Sequence, residues 1–396
     1  MKMIRFILRL PAIFIIMMFI FHGCSKDSRT EKTIRISDRA PVKIGVILPL
    51  TGPCESIARN HLAAISTAAG NAPGIAGRNV AITLRDSKGD SNTAIEAVRQ
   101  FEKENAAGVI LLACGDEYLE LSRLYCPDNS KRKREQLRLQ IPVIVVNAPD
   151  SAPGTCSGIW RLSPSSDELI RASLHFIRST MNATRIAVIL DSGKDGGIKF
   201  ATMFLKEFTN SGGTIIDIYD INEKGFREKL SKLNRKKPSL IIIPEADNKT
   251  SEIVRLLRSE NIKIPVFFIR SPENKDVFET LRDNPGIYLL NNFSFQPTND
   301  ERCKRLLEVF SKDNISPDTG AFISADALFL LIDASVLPHN TASDMIPLLS
   351  ISGNETYLTG KISLMVDGSV KKTLYVVKLN GSDTETVEGI NLICRG

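Results

Sequence analysis

Val42-Lys43-Ile44-Gly45-Val46-Ile47-Leu48-Pro49-Leu50-Thr51-Gly52-Pro53 is the stretch on which the fold turns. Its first seven residues are mostly apolar and β-branched, and Pro49 and Gly52 stop the run. A short apolar run bounded by turn residues reads as a buried strand. Working outward, residues 55 to 69 read as a helix ended by Gly70 and Pro73. Val80-Ala81-Ile82-Thr83-Leu84 is a second strand. The helix at 92 to 105 puts Ala94, Ala97, Val98 and Phe101 on one face. Gly108 to Leu112 is a third strand, 116 to 125 a helix, and Pro142 to Val146 a fourth strand. This βαβα order predicts a parallel sheet with helices on both faces.

The rhythm restarts after residue 164. A helix at 166–180 leads to the strand Arg185 to Leu190, and a helix near 196–210 to the strand Thr214 to Ile218. The strand Leu240 to Ile243, a helix at 249–260, and the strands Val266 to Ile269 and Ile287 to Leu290 follow. Helices at 299–312, 318–336 and 342–350 then precede strands near 361–365 and 373–379. A chain of 396 residues is natural for two domains. The fold class expected is α/β, two doubly wound parallel-sheet lobes. The late elements imply that the chain crosses between the lobes more than once.

The N-terminus has a different character. Lys2, Arg5 and Arg9 precede an apolar run from Leu10 to Phe21, broken only by Pro11. The run is shorter than the roughly 20 residues of a membrane span and has the layout of a secretory signal. It ends at Phe21-His22-Gly23-Cys24, which resembles a bacterial lipobox. Gly23 and Cys24 fit that pattern, whereas Phe21 and His22 stand where an aliphatic and a small residue are usual. The resemblance implies diacylation of Cys24, and two chains hold firmly where one gives marginal binding. Residues 25 to 40 are polar, without apolar period, and read as a tether.

The formal charge is +6, of which Lys2, Arg5 and Arg9 account for three, leaving about +3 for the exported chain. That is too little to imply nucleic acid. The dense basic run Lys131-Arg132-Lys133-Arg134, with Arg138 nearby, reads as a solvated loop, with anionic lipid or a partner as the alternative. Beyond Cys24 stand Cys54, Cys114, Cys126, Cys156, Cys303 and Cys394. An even number in an oxidising compartment permits disulfides in several connectivities. The favoured pairs are Cys126–Cys156 around the basic run and Cys303–Cys394 at the C-terminus, leaving Cys54 and Cys114. No C-x-x-C spacing supports zinc.

Ligands of open α/β sheets sit at the carboxyl ends of the strands. The loops at 50–57, 113–117, 147–152, 191–197, 244–248 and 270–274 are therefore the expected contact loops. Cys54 and Cys114 fall in two of them, which permits a disulfide at the rim of a cleft.

The segment 42–53 resembles the opening of the branched-chain amino acid (leucine/isoleucine/valine) type of periplasmic binding protein. Gly74-Ile75-Ala76-Gly77-Arg78 is similar to that family's turn into its second strand, and Asp86 to Asp90 with the Ala94–Phe101 helix to its next segment. Trp160-Arg161-Leu162-Ser163-Pro164-Ser165 resembles the first crossover between lobes. Arg185 to Asp191 with Gly196, Phe322 to Ala327, Thr359-Gly360-Lys361-Ile362 and Asp367-Gly368 match later landmarks. The resemblance covers roughly residues 42 to 380. It implies the type I periplasmic-binding fold with a three-segment hinge near 163–165, 292–295 and 362–366. The implied division is a signal at 1–23, a tether at 24–41, a first lobe at 42–163 and 295–364, and a second at 164–294 and 365–396.

The family's ligand positions carry over unevenly. A carboxylate-binding serine is common after the third strand; Cys114-Gly115-Asp116 stands there. The small-residue and hydroxyl pair after the fourth strand falls on Asp150-Ser151, which keeps a hydroxyl. A Tyr-Gly pair of the second lobe is replaced by Asp195-Gly196. Glu245 and Asp247 follow the next cleft strand, and Arg270, Ser271 and Glu273 the one after. The expected ligand residues are thus Cys114, Gly115, Asp116, Asp150, Ser151, Asp195, Glu245, Asp247, Ser271 and Glu273. So many carboxylates cannot stay ionised close together without a cation. Either the ligand is cationic or strongly polar, or several of them face solvent.

Catalysis is not expected. The histidines are His22, His61, His175 and His339, with no H-E-x-x-H, G-x-S-x-G or Walker A pattern. Ser192-Gly193-Lys194 looks like a phosphate loop but lacks the upstream glycine. No cofactor and no metal is expected. The expectation is a monomeric lipoprotein of the periplasm or cell surface that delivers a small polar molecule to an ABC permease. Sensing for a membrane receptor, and a scaffold that has lost ligand binding, are the alternatives.

Overall fold

In a computed structural model of the chain, the described residues are 41–71, 79–126, 139–147, 156–272, 275–294, 301–312, 319–337, 341–352, 356–381 and 383–393. Cys24, the basic run, Asp150, Ser151, Glu273 and Cys394 lie outside them, and of Asp195 only the backbone is described.

The first sheet holds β1 (Val42–Leu48), β2 (Val80–Asp86), β3 (Gly108–Leu112), β4 (Val143–Asn147) and β5 (Ile159–Arg161), all parallel in the order β2-β1-β3-β4-β5. Its early helices are α1 (Glu55–Asn71), α2 (Ser91–Lys103) and α3 (Glu117–Tyr125). The Asp90 side chain caps α2 by accepting from the Thr93 amide at 2.8 Å. The face of α2 formed by Ala94, Ala97, Val98 and Phe101 is buried. Gly45 is required there, because a Cβ would lie 2.6 Å from the Phe101 ring.

The second lobe runs through α4 (Ser166–His175), β6 (Arg185–Leu190), α5 (Asp195–Asn210), β7 (Thr214–Asp220), α6 (Phe226–Ser231), α7 (Leu233–Lys236), β8 (Leu240–Glu245), α8 (Asn248–Ser259), β9 (Val266–Arg270), α9 (Lys275–Arg282) and β10 (Ile287–Asn291). Strands β7-β6-β8-β9-β10 are parallel in that order. The helix expected at 166–180 is α-helical only to His175 and finishes as a π-helical turn, Phe176–Thr180.

The chain then returns through α10 (Glu301–Lys312), α11 (Thr319–Ser335) and α12 (Met345–Ser352). Their apolar side chains join the core of β1, β3 and β4. Every residue from Ala321 to Ile332 is buried, Ser324 and Asp326 among them, as befits a helix with apolar residues on every side. Strands β11 (Thr356–Tyr357), β12 (Gly360–Leu364), β13 (Val370–Asn380) and β14 (Asp383–Ile393) close the chain.

Strand β13 is the physical link between the lobes. Val370 packs with Ile362 and Leu364 in the first core, whereas Leu374 and Val376 pack in a second-lobe core with β6, β8 and β9. It pairs antiparallel with β12 at one end, with β10 at the other, and with β14 along its length. The chain therefore leaves the first core after Leu162, rejoins it from Phe293, and leaves it again after Val370. Two α/β lobes joined by three crossovers agree with the fold expected from the sequence.

Candidate functional site

The carboxyl ends of the parallel strands carry the expected contact loops. In the first lobe, the Asp86 carboxylate holds the loop after β1. Its Oδ1 accepts from the amides of Leu50 and Lys88, each at 2.8 Å, and its Oδ2 from the Thr51 hydroxyl at 2.7 Å. Desolvation works against this carboxylate, but the Thr51 hydroxyl and the surrounding amides outweigh it and hold its pKa below the usual value.

That loop is tied to the loop after β3 by a disulfide between Cys54 and Cys114, with 6.1 Å between their Cα atoms. Cys126 and Cys156 form a second disulfide, with a Cα separation of 5.5 Å. Cys303 is buried in the first core, and its expected partner Cys394 lies outside the described residues. Asp116 is exposed and gives no side-chain cap to α3. Its neighbour Glu117, which sequence reading passed over, is fully buried. The Glu117 Oε2 accepts from the amides of Cys114 at 3.1 Å and Gly115 at 2.6 Å.

In the second lobe, the ends of β6 and β8 flank a small recess that is open to solvent. Asp191, Lys194, Glu245, Asp247 and Thr250 supply its polar lining, and Ile189, Ile243 and Pro244 its apolar part. Glu245 and Asp247 come together in this lining. Lys194 brings them a charge that sequence reading did not assign. Its Nζ lies 2.6 Å from Asp247 and 3.5 Å from Glu245. Burial lowers the affinity of Lys194 for its proton, but Asp247 and Glu245 more than restore it, and its pKa rises. Asp247 shows the reciprocal effect: desolvation is outweighed by Lys194 and Thr250, and its pKa falls.

Asp247 is also the N-cap of α8, accepting from the Thr250 amide at 2.7 Å while the Thr250 hydroxyl bonds back to the Asp247 amide. Behind it, Asp191 accepts from Asn222 at 2.6 Å and the Gly193 amide at 2.9 Å, and pairs with Lys249 at 3.2 Å. The acids on this face have cationic partners. Lys194 and Lys249 supply the charge from within the chain.

Ser271 is half-buried, and its hydroxyl donates to the Leu290 carbonyl at 2.7 Å. Arg270 donates to the Ser166 hydroxyl at 3.0 Å and lies over the Phe200 ring. Among the described residues, no three His, Cys, Asp or Glu side chains come together as a metal site, and no helix is long and apolar enough to cross a membrane.

The sequence model of one family, described as periplasmic binding protein, matches residues 41–329. No curated protein sequence matches the chain significantly. Among solved structures, the fold is similar to the branched-chain amino acid transporter substrate-binding protein LivJ from Streptococcus pneumoniae, in complex with isoleucine. That likeness has 17% identity, a TM-score of 0.66, and covers 89% of this chain and 100% of that one. The leucine-binding protein LivK from Thermotoga maritima is similar at 18% identity and a TM-score of 0.63, over 88% of this chain and 99% of that one. A solute-binding protein of an ABC transporter from R. palustris, in complex with benzoate, is similar at 16% identity and a TM-score of 0.61, over 89% and 97%. At these identities the likeness establishes the fold.

Proposed function

The chain belongs to the periplasmic binding protein family, and from that premise we propose that it captures a small polar solute between its two lobes and delivers it to an ABC importer. The solute class is an amino acid, an amide or a related metabolite. The observation that carries this reading is the recess at the carboxyl ends of β6 and β8, where a few polar groups stand beside an apolar wall. Such a mixture supplies groups that can orient a small molecule, whose burial then depends on the lobes closing over it. Structural relatives named for bound isoleucine and benzoate show that the fold accommodates amino acids and aromatic acids alike.

In this proposal no bond of the solute is made or broken. The closing bodies are 42–163 with 295–364, and 164–294 with 365–396, with the hinge where the chain passes between the two cores, near Leu162, Phe293 and Val370. Asp150, Ser151 and Glu273 complete the contact set from the loops after β4 and β9, and Asp195 joins it from the start of α5. Export by residues 1–23 and acylation of Cys24 then hold a monomer at the membrane on the periplasmic or outer face, where it meets the permease.

The test is a thermal-shift screen of the mature chain against amino acids, amides, polyamines and small acids. A true ligand at one hundred times its Kd adds about 2.7 kcal/mol of stability. The proposal expects at least one saturable shift of that order. A flat response across the screen points to a scaffold that binds no solute.

A further inference from the structure

The head of β13 carries a buried cation. Lys372 stands between Val370, which packs in the first core, and Leu374, which packs in a second-lobe core. Among the described residues its ammonium group has no hydrogen-bond partner. Desolvation opposes its charge, and the carboxylates that favour it are Asp326 and Glu168. A buried charge without a partner is costly, so any lobe arrangement that pairs it gains stability.

The two carboxylates belong to different bodies. Asp326 is held to the turn between β11 and β12 by the amides of Leu358 and Thr359. Lys372 pairs in register with Ile362 of β12. Strand pairing therefore keeps Asp326 and Lys372 together. Glu168 rides on α4, whose Leu169 and Ile170 pack in the second-lobe core. When the lobes turn, the Glu168 carboxylate moves against β12 and Lys372.

Glu168 also faces a second cation of the first lobe. Arg161 of β5 lies 4.0 Å from its Oε2, and the same guanidinium stands over the Tyr118 ring of α3. One second-lobe carboxylate is thus shared by two first-lobe cations, Arg161 close to it and Lys372 within reach of its charge.

We propose that Glu168 is a two-position latch of the hinge. In the arrangement seen here it faces Arg161. In a second arrangement, reached by rotation about the crossovers, it pairs with Lys372 instead. Packed contacts of this kind settle into discrete arrangements rather than deforming continuously. The solute-free chain populates both, and the exchange of cations sets their ratio. The latch regulates the solute capture proposed above and rests on the lobe motion of that reading.

Small-angle X-ray scattering of the acyl-free mature chain without solute tests it. Lys372→Met keeps an unbranched side chain that cannot pair, and should shift the population towards the Arg161 arrangement. Arg161→Gln should shift it the other way. The radii of gyration of these two variants should therefore lie on opposite sides of the wild-type value. Glu168→Gln keeps an acceptor for Ser165 and removes the charge, so in that background neither substitution should move the radius further. If Lys372→Met fails to fold, Arg161→Gln with and without Glu168→Gln carries the same test. Shifts of the same sign, no shift in either variant, or shifts that persist beside Glu168→Gln overturn the latch. The thermal-shift screen judges solute capture separately. A flat screen together with opposite shifts removes capture and keeps the latch.

Discussion

Replacing Gly368 by alanine is expected to destabilise the protein by about 4 kcal/mol, the sum of a forbidden backbone conformation and an overpacked contact. Gly368 lies in the turn between β12 and β13 with φ +87°. A Cβ there would stand 2.1 Å from the Cys156 carbonyl oxygen and 2.6 Å from its carbonyl carbon and nitrogen. These are backbone atoms and cannot rotate away. The turn is pinned a second time by Trp160, fully buried, whose Nε1 donates to the Met365 carbonyl at 2.7 Å. The third crossover is thereby seated on the edge of the first lobe. Urea unfolding measures the loss. Gly70→Ala is the control, because a Cβ at that helical position meets nothing within 4 Å. It should leave stability unchanged or raised by up to about 1 kcal/mol. Equal behaviour of the two variants would contradict the account of the turn.

The second large effect is electrostatic. Asp326 is fully buried in α11 and accepts from the amides of Leu358 and Thr359, each at 2.8 Å, and from the Thr359 hydroxyl at 2.5 Å. Desolvation still dominates. It raises the Asp326 pKa to about 6, against the pull of Thr359, Lys372 and the amides. Lys372, buried on β13 with no hydrogen-bond partner for its ammonium group among the described residues, is lowered by desolvation to about 8, against the attraction of Asp326 and Glu168.

A raised carboxylate contributes stability that is full below its ordinary pKa, near 4, and is lost as pH rises through about 6. A lowered lysine contributes stability that is full above about 10.5 and is lost as pH falls through about 8. Between pH 4 and 7 only the first changes. At about 1.4 kcal/mol per pKa unit, the stability of the wild type relative to Asp326→Asn should fall by roughly 3 kcal/mol across that interval. Taking the difference cancels the other carboxylates, which both proteins share. Unfolding curves at pH 4, 5, 6 and 7 give it directly, and a difference constant with pH would refute the buried ionisation.

The fold was legible wherever burial writes itself into composition. The run Val42–Leu48, the face Ala94–Phe101 and the largely apolar helix around Phe322–Ile332 could only be core. Elements without such a signal escaped reading. Strand β5 spans three residues and reads as part of a crossover. Strand β14 alternates exposed and half-buried polar residues over most of its length, because it pairs with one neighbour only. The short helices α6 and α7 are rich in lysine and arginine and bury only Phe226, Leu230 and Leu233.

The candidate site was legible in position more than in state. Strand ends located Cys114, Glu245 and Asp247, but not the lysine that neutralises the last two, because Lys194 lies 53 residues from Asp247 in sequence. Glu117 offered a weak signal, an acid at the first turn of a helix behind Cys114-Gly115. Only the three-dimensional loop shows that carboxylate folding back onto the amides before it.

Small-angle X-ray scattering of the acyl-free mature chain, with and without a solute that stabilises it, tests the central claim most directly. Capture between two lobes predicts a fall in the radius of gyration that saturates with the same Kd as the thermal shift. A solute that stabilises the protein at saturation while leaving the scattering curve unchanged would contradict it.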